Sequence, residues 1–129
     1  MARKSLKILL KPGGLLASPQ ETGEQWDAPF GWAPLELIAS EGLRRYGFNE
    51  EADRLSERFA SLVLREFRRS GAVFEKYDVA SPGSRAAPVP RFGYGENVVG
   101  FGWTNAVFEA LYDELPPSKR PRILAAARD

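Results

Sequence analysis

Residues 25–47 read QWDAPFGWAPLELIASEGLRRYG, and the change of character at Pro34 decides the architecture. Before it, Pro29 and Gly31 break any regular period, while Trp26, Phe30 and Trp32 supply large apolar faces. After it, Leu35, Ile38, Ala39, Gly42, Leu43 and Tyr46 recur at three- and four-residue spacing, the pattern of a helix with one buried face. Pro34 suits a first helical position, where its missing N–H costs nothing, and Gly47 is a natural stop. An aromatic-rich loop therefore runs directly into an amphipathic helix.

The same grammar extends in both directions. Asn49 is expected to cap a second helix, with Glu50, Glu51 and Asp53 complementing its positive end. Along that helix Ala52, Leu55, Phe59, Leu62, Val63 and Phe67 make one apolar stripe, closed near Arg68, Arg69 and Gly71. The tight Gly47-Phe48 connection makes the two an antiparallel pair. Upstream, Leu6, Ile8, Leu9 and Leu10 read as the end of a helix stopped by Pro12-Gly13-Gly14. From Ala72 to Gly102 glycines and prolines exclude a long helix. Thr104 is then expected to cap a last helix through Val107, Phe108, Leu111, Tyr112 and Leu115, ended by Pro116-Pro117. Residues 116–129 form a basic tail expected to fray or to make a short helix. The fold class is all-α: about four helices joined by long aromatic-rich loops, as in part of a helical toroid.

Composition narrows the chemistry. The 129 residues carry 18 Lys plus Arg against 17 Asp plus Glu, a net charge of +1, which offers no field for nucleic acid and no polybasic membrane patch. No stretch reaches the length of a secretory core or a membrane span, so no membrane partner is expected. With no Cys there is no disulfide framework and no thiolate nucleophile, and with no His the commonest general base and metal ligand are gone. Catalysis, if present, must run on carboxylates, with Lys or Tyr as weaker candidates.

The loops concentrate such groups. The first holds Trp26, Asp27 and Trp32; the second, Phe74-Glu75-Lys76-Tyr77-Asp78-Val79; the third, Glu96 and Asn97 followed by Gly100-Phe-Gly-Trp103-Thr-Asn105. Indole faces stack on the C–H side of sugar rings, and carboxylates accept paired hydrogen bonds from neighbouring hydroxyls, so the combination points to a neutral polyol such as a carbohydrate. Plainer readings stand beside it. Trp26 and Trp32 can be core aromatics sealing a loop onto helices, and Glu75 beside Lys76 can be a surface ion pair. The glycines near residue 95 fit neither GxGxxG nor GxxxxGK[ST]. Glu75, Asp78 and Glu96 match no calcium-loop spacing, so no metal and no cofactor is expected.

Taken together, the motifs resemble a family. QWDAPFGWAP is similar to the second sequence signature of the trehalases, the inverting α,α-trehalose hydrolases of glycoside hydrolase family 37. PGGLLASPQETGEQWDAP resembles the loop leading into that signature, APLELIASEGLRRYG the helix after it, and FEKYDV and GFGWTNAV the later family motifs. The likeness spans roughly residues 8–115. It implies an (α/α)6 toroid whose loops close over a sugar at one mouth. It implies an inverting mechanism with two carboxyl groups roughly 6.5–9.5 Å apart. By the resemblance Glu75 is the general base, oriented by Phe74, Lys76, Tyr77 and Asp78, and Glu96, Trp26, Asp27 and Trp103 bind substrate. Around Glu96 the family's polyglycine run is replaced by Phe92-Gly-Tyr-Gly95, and Asn97 stands where the family has Tyr.

The family's general acid and first signature belong to an earlier segment that these residues do not contain. The expectation is a C-terminal part of a trehalase domain spanning 1–129, inactive alone, with trehalose as substrate and an upstream trehalase segment as a partner. The alternative is a non-catalytic helical carbohydrate-binding or interaction module of the same fold. Family members occur in periplasm and cytoplasm, and the sequence does not choose between them.

Overall fold

The computed structural model describes residues 2–82 and 97–126. Among the described residues five helices carry the fold: α1 (Ala2–Leu9), α2 (Ala33–Arg45), α3 (Asn49–Ser70), α4 (Gly102–Glu114) and α5 (Arg120–Ala126). α2 packs on α3 and α4, and α3 also packs on α4 and α5. Four short strands lie in the connections: β1 (Leu10–Lys11), β2 (Gly14–Leu15), β3 (Phe30–Trp32) and β4 (Lys76–Asp78). β1 pairs with β2, and β3 with β4, both antiparallel. The loops on either side of the helical pair are thus tied by a ladder that the sequence did not announce, because three-residue strands are too short to show a period-two pattern.

The main core lies between the apolar stripe of α3 and the inner faces of α2 and α4. Phe59, Leu62 and Val63 meet Ala33, Val107 and Leu111, with Leu16, Tyr77 and Val79 delivered by the loops. Phe59 is fully buried and meets the Tyr77 ring edge to face at 5.7 Å. Each such side chain contributes about 1.5–3 kcal/mol by leaving water. A second cluster joins Leu43, Ala52 and Leu55 to Leu6, Leu10 and Phe48 at the other end of the pair. Residues 116–126, expected to fray or form a short helix, hold α5, whose Ile123 is fully buried against Ala60 and Leu115.

Two expected helix caps are corrected. Gly47 stops α2 as expected, at φ +78°, and its N–H donates to the Arg44 carbonyl at 3.0 Å. Phe48 then donates to Leu43 at 2.9 Å and its own carbonyl accepts from Ala52, which makes Phe48 the flanking residue of α3. Asn49 is therefore already inside the helix, and no side chain caps that end. Likewise α4 begins at Gly102, and Thr104 lies within its first turn. Its buried hydroxyl donates instead to the Phe74 carbonyl at 2.7 Å, tying α4 to the second loop.

A polar knot joins the helices at the end remote from those loops. Asp53 of α3 is ion-paired with Arg44 of α2 at 2.7 Å and accepts a hydrogen bond from Lys119, before α5, at 2.7 Å. Arg44 also reaches Glu114 of α4 at 3.2 Å. Burial pushes the Asp53 carboxyl up, but hydrogen bonds from Lys119 and Arg44, with their charges, outweigh it and hold Asp53 below the usual carboxylate range.

Candidate active site

β3 and β4 bring the first two loops into one structure. Their register pairs Phe30 with Asp78, Gly31 with Tyr77 and Trp32 with Lys76. Side chains alternate across a strand, so Phe30, Trp32 and Lys76 share one face while Gly31 and Tyr77 take the other. The second face is core. Tyr77 packs there, its phenol oxygen accepting from the Phe74 N–H at 3.0 Å, and burial pushes its pKa up to about 12. Gly31 has no room for a side chain: a Cβ would lie 2.4 Å from Val79 Cγ1 and 2.9 Å from the Leu15 carbonyl.

The first face carries the candidate site. Trp32 is 1% exposed, and the Lys76 ammonium sits 5.4 Å from its ring centre and 5.9 Å from that of Phe30. Trp26 lies parallel on Trp32 with ring centres 3.8 Å apart, and Trp103 meets Trp32 edge-on at 6.1 Å. Phe101 supports Trp103 from the side at 4.6 Å. Trp26 is 46% exposed and Trp103 36%, so both present open surface above a buried floor.

Glu75 is 2% exposed, and its Oε2 lies 3.5 Å from the Lys76 ammonium. A carboxylate taken out of water is tolerated when it is paired in this way. The surface ion pair considered from sequence is thus a buried pair. Its backbone is held by the third loop: the Glu75 N–H donates to the Val98 carbonyl at 2.9 Å, Phe74 bridges Val99, and the Asn97 side chain binds the Lys76 backbone. Asp78, opposite Phe30 in the ladder, accepts from the Ser81 N–H at 2.8 Å.

Of the residues named from sequence, Glu75, Trp26 and Trp103 converge around Trp32 and Lys76. Asp27 faces its own loop, where Oδ2 accepts from both the hydroxyl and the backbone N–H of Thr22. These hydrogen bonds hold the Asp27 carboxyl below its ordinary value. The indole N–H of Trp32 donates to the Gln25 carbonyl at 3.2 Å, so the same loop is tied to the floor. Glu96 lies outside the described residues. Sequence reasoning missed the bracing by Asn97, Phe101 and Thr104; their nearness to a recognisable motif was the only signal. Among the described residues no cluster of three acidic, His or Cys side chains could hold a metal ion, and no helix is long and apolar enough to cross a membrane.

This is the layout of a helical-hairpin framework whose loops gather a carboxylate and indoles at one end. The family model of the trehalases matches residues 2–116, and the chain belongs to the trehalase family. It is 42% identical over 123 residues to a periplasmic trehalase of Escherichia coli, covering 94% of this chain and 21% of that protein. A periplasmic trehalase of Salmonella newport is 42% identical over 115 residues, 88% of this chain and 19% of the relative. Among solved structures, the neutral trehalase Nth1 of Saccharomyces cerevisiae superposes with a TM-score of 0.74 at 33% identity, over 98% of this chain and 22% of that one. The five helices are thus those of part of an (α/α)6 toroid, and the chain spans about a fifth of the length of the trehalases it matches.

Proposed function

We propose that this chain supplies the catalytic base and one wall of the sugar pocket for hydrolysis of α,α-trehalose to glucose with inversion. The observation that carries the reading is a carboxylate, Glu75, buried and paired with Lys76 beside an indole wall with two open faces. In an inverting hydrolysis Glu75 removes a proton from water as the water oxygen attacks one anomeric carbon. The bond to the bridging oxygen breaks, and a carboxylic acid on the opposite side protonates that oxygen as the second glucose leaves. The attacked glucose departs as the β-anomer and the other keeps its α-configuration. Trp26 and Trp103 would line the sugar. Asp27 would serve the pocket by holding the loop that carries Trp26, and Glu96 is assigned to substrate by the resemblance alone.

The resemblance assigns the acid to a segment preceding the motifs found here, so the chain by itself should not release glucose. The decisive experiment grafts residues 2–116 into the E. coli periplasmic trehalase in place of its matching segment. Trehalose hydrolysis by the graft, with both anomers seen by proton NMR at early times, and a loss of about a hundredfold to ten-thousandfold in kcat on Glu75→Gln are expected. A folded graft whose Glu75→Gln variant stays as active as its parent would overturn the assignment. The open faces of Trp26 and Trp103 also favour a second reading, a module that binds sugar without chemistry. Calorimetric binding of trehalose by the isolated chain, with a graft that stays inactive, would select it.

A further inference from the structure

Glu36 lies in the helix that follows QWDAPFGWAP, has no role assigned by the resemblance, and is the most deeply buried acid of α2. It is 0% exposed, four residues after Trp32, and its side chain runs back beneath the site. Oε1 accepts from the Leu15 N–H of β2 at 2.7 Å, while the buried Oε2 has no hydrogen-bond partner among the described residues. Two glycines make room for it. A Cβ on Gly14 would lie 2.7 Å from Oε1, and one on Gly31 would lie 3.0 Å from it. The turn it holds runs on to Ala17, whose N–H donates to the Phe30 carbonyl of β3 at 3.0 Å.

We propose that Glu36 is the positioning residue of this site: its carboxyl fastens the Gly13–Leu16 turn against β3, fixing Trp32 and, across the ladder, the Glu75–Lys76 pair. The inference rests on the reading of that face as the sugar pocket. Several charged groups on the elements around Glu36 have partners of their own. Arg58 of α3 donates to the Lys11 carbonyl, Asp53 binds Arg44 and Lys119, Lys76 faces Glu75, Asp78 accepts from Ser81, and Glu114 of α4 binds Arg44. Burial raises the Glu36 carboxyl well above its ordinary range, against the lowering effect of the Leu15 N–H. A raised folded value gives stability that is complete below the unfolded carboxyl's titration and lost as pH rises through the folded one. The folding constant should then fall by up to about tenfold per pH unit across that window.

The test compares the wild-type chain with Glu36→Gln and Glu36→Leu. Glu36→Gln keeps the acceptor for Leu15 and cannot ionise, so urea midpoints of wild type should fall relative to it as pH rises above the ordinary carboxylate range, with the Trp26–Trp32 couplet in circular dichroism preserved. Glu36→Leu removes the acceptor, and the couplet should be lost. Parallel pH profiles for wild type and Glu36→Gln would overturn the proposal, as would a folded Glu36→Leu chain with its couplet intact. If Glu36→Leu does not fold, the Gln comparison still decides. In the graft, Glu36→Leu should lower kcat, with Glu36→Gln restoring it. Failure of these arms while Glu75→Gln still abolishes turnover would count against Glu36 and leave the base assignment standing.

Discussion

The side-chain amide of Asn97 satisfies both backbone groups of Lys76: Oδ1 accepts from the Lys76 N–H at 3.2 Å, and Nδ2 donates to the Lys76 carbonyl at 2.9 Å. A side chain thus takes the part of a neighbouring strand, beside the proposed base. Asn97→Ala strands a donor and an acceptor that are partly buried. At about 1 kcal/mol for each lost hydrogen bond, the variant should be about 1–2 kcal/mol less stable in urea denaturation. In the graft it should lower kcat more than it raises KM, since the group held is the one that acts on water.

Trp26 and Trp32 form one stack yet should separate cleanly by experiment. Trp32 is buried, and Trp32→Ala should cost about 3–5 kcal/mol. Trp26 is nearly half exposed, and Trp26→Ala should cost about 0.5–1.5 kcal/mol, the value of an aromatic pair. The second change should instead raise KM for trehalose in the graft. Equal losses of stability from the two would contradict the floor-and-wall arrangement.

Gly31 and Gly42 make opposite predictions for the same substitution. At Gly31 a Cβ meets Val79 and the Leu15 backbone, so Gly31→Ala should destabilise by about 1–3 kcal/mol or more. Gly42 lies inside α2 with open space around it, and Gly42→Ala should stabilise by about 0.5–1 kcal/mol. Thermal melts of the two variants check both signs.

The polar knot sets the acid behaviour of the remote end. Asp53 is held below its ordinary value, so its contribution is present above the unfolded carboxyl's titration and lost as pH falls through the folded one. Asp53→Asn should flatten the loss of stability below about pH 4 relative to wild type, as read from urea midpoints. It should also loosen α5, which Lys119 holds through Asp53, and amide exchange of Ile123 would report that.

The helices were legible because their apolar residues repeat over many turns: Leu55, Phe59, Leu62 and Val63 could hardly be read otherwise. Their starts were not, because Asn49 and Thr104 are good caps by type, and the fold uses a short connection at one and a cross-loop hydrogen bond at the other. In the candidate site, Glu75, Trp26 and Trp103 were singled out through motifs; Glu75 lies beside Lys76, and the two indoles lie beside Trp32. Asp27 was visible for the same reason, yet its carboxylate is committed to Thr22, a relationship that spacing alone does not encode. Glu36 was hidden because a Glu four residues into a helix looks like an ordinary response to the helix dipole. The room for its side chain comes from glycines of two other segments, Gly14 and Gly31.

The ladder between β3 and β4 also limits how the gene can change. Trp32 opposes Lys76, and alternation gives Phe30 and Lys76 to the face of the candidate site and Gly31 and Tyr77 to the core. One codon gained or lost between Phe30 and Glu36, or between Phe74 and Val79, would exchange those faces, driving a phenol outward and an ammonium into the packing. Two codons would restore the faces but move Trp32 away from Lys76. Point substitutions can tune this site gradually, whereas changes of length within either segment should be accepted only if the other segment changes with it.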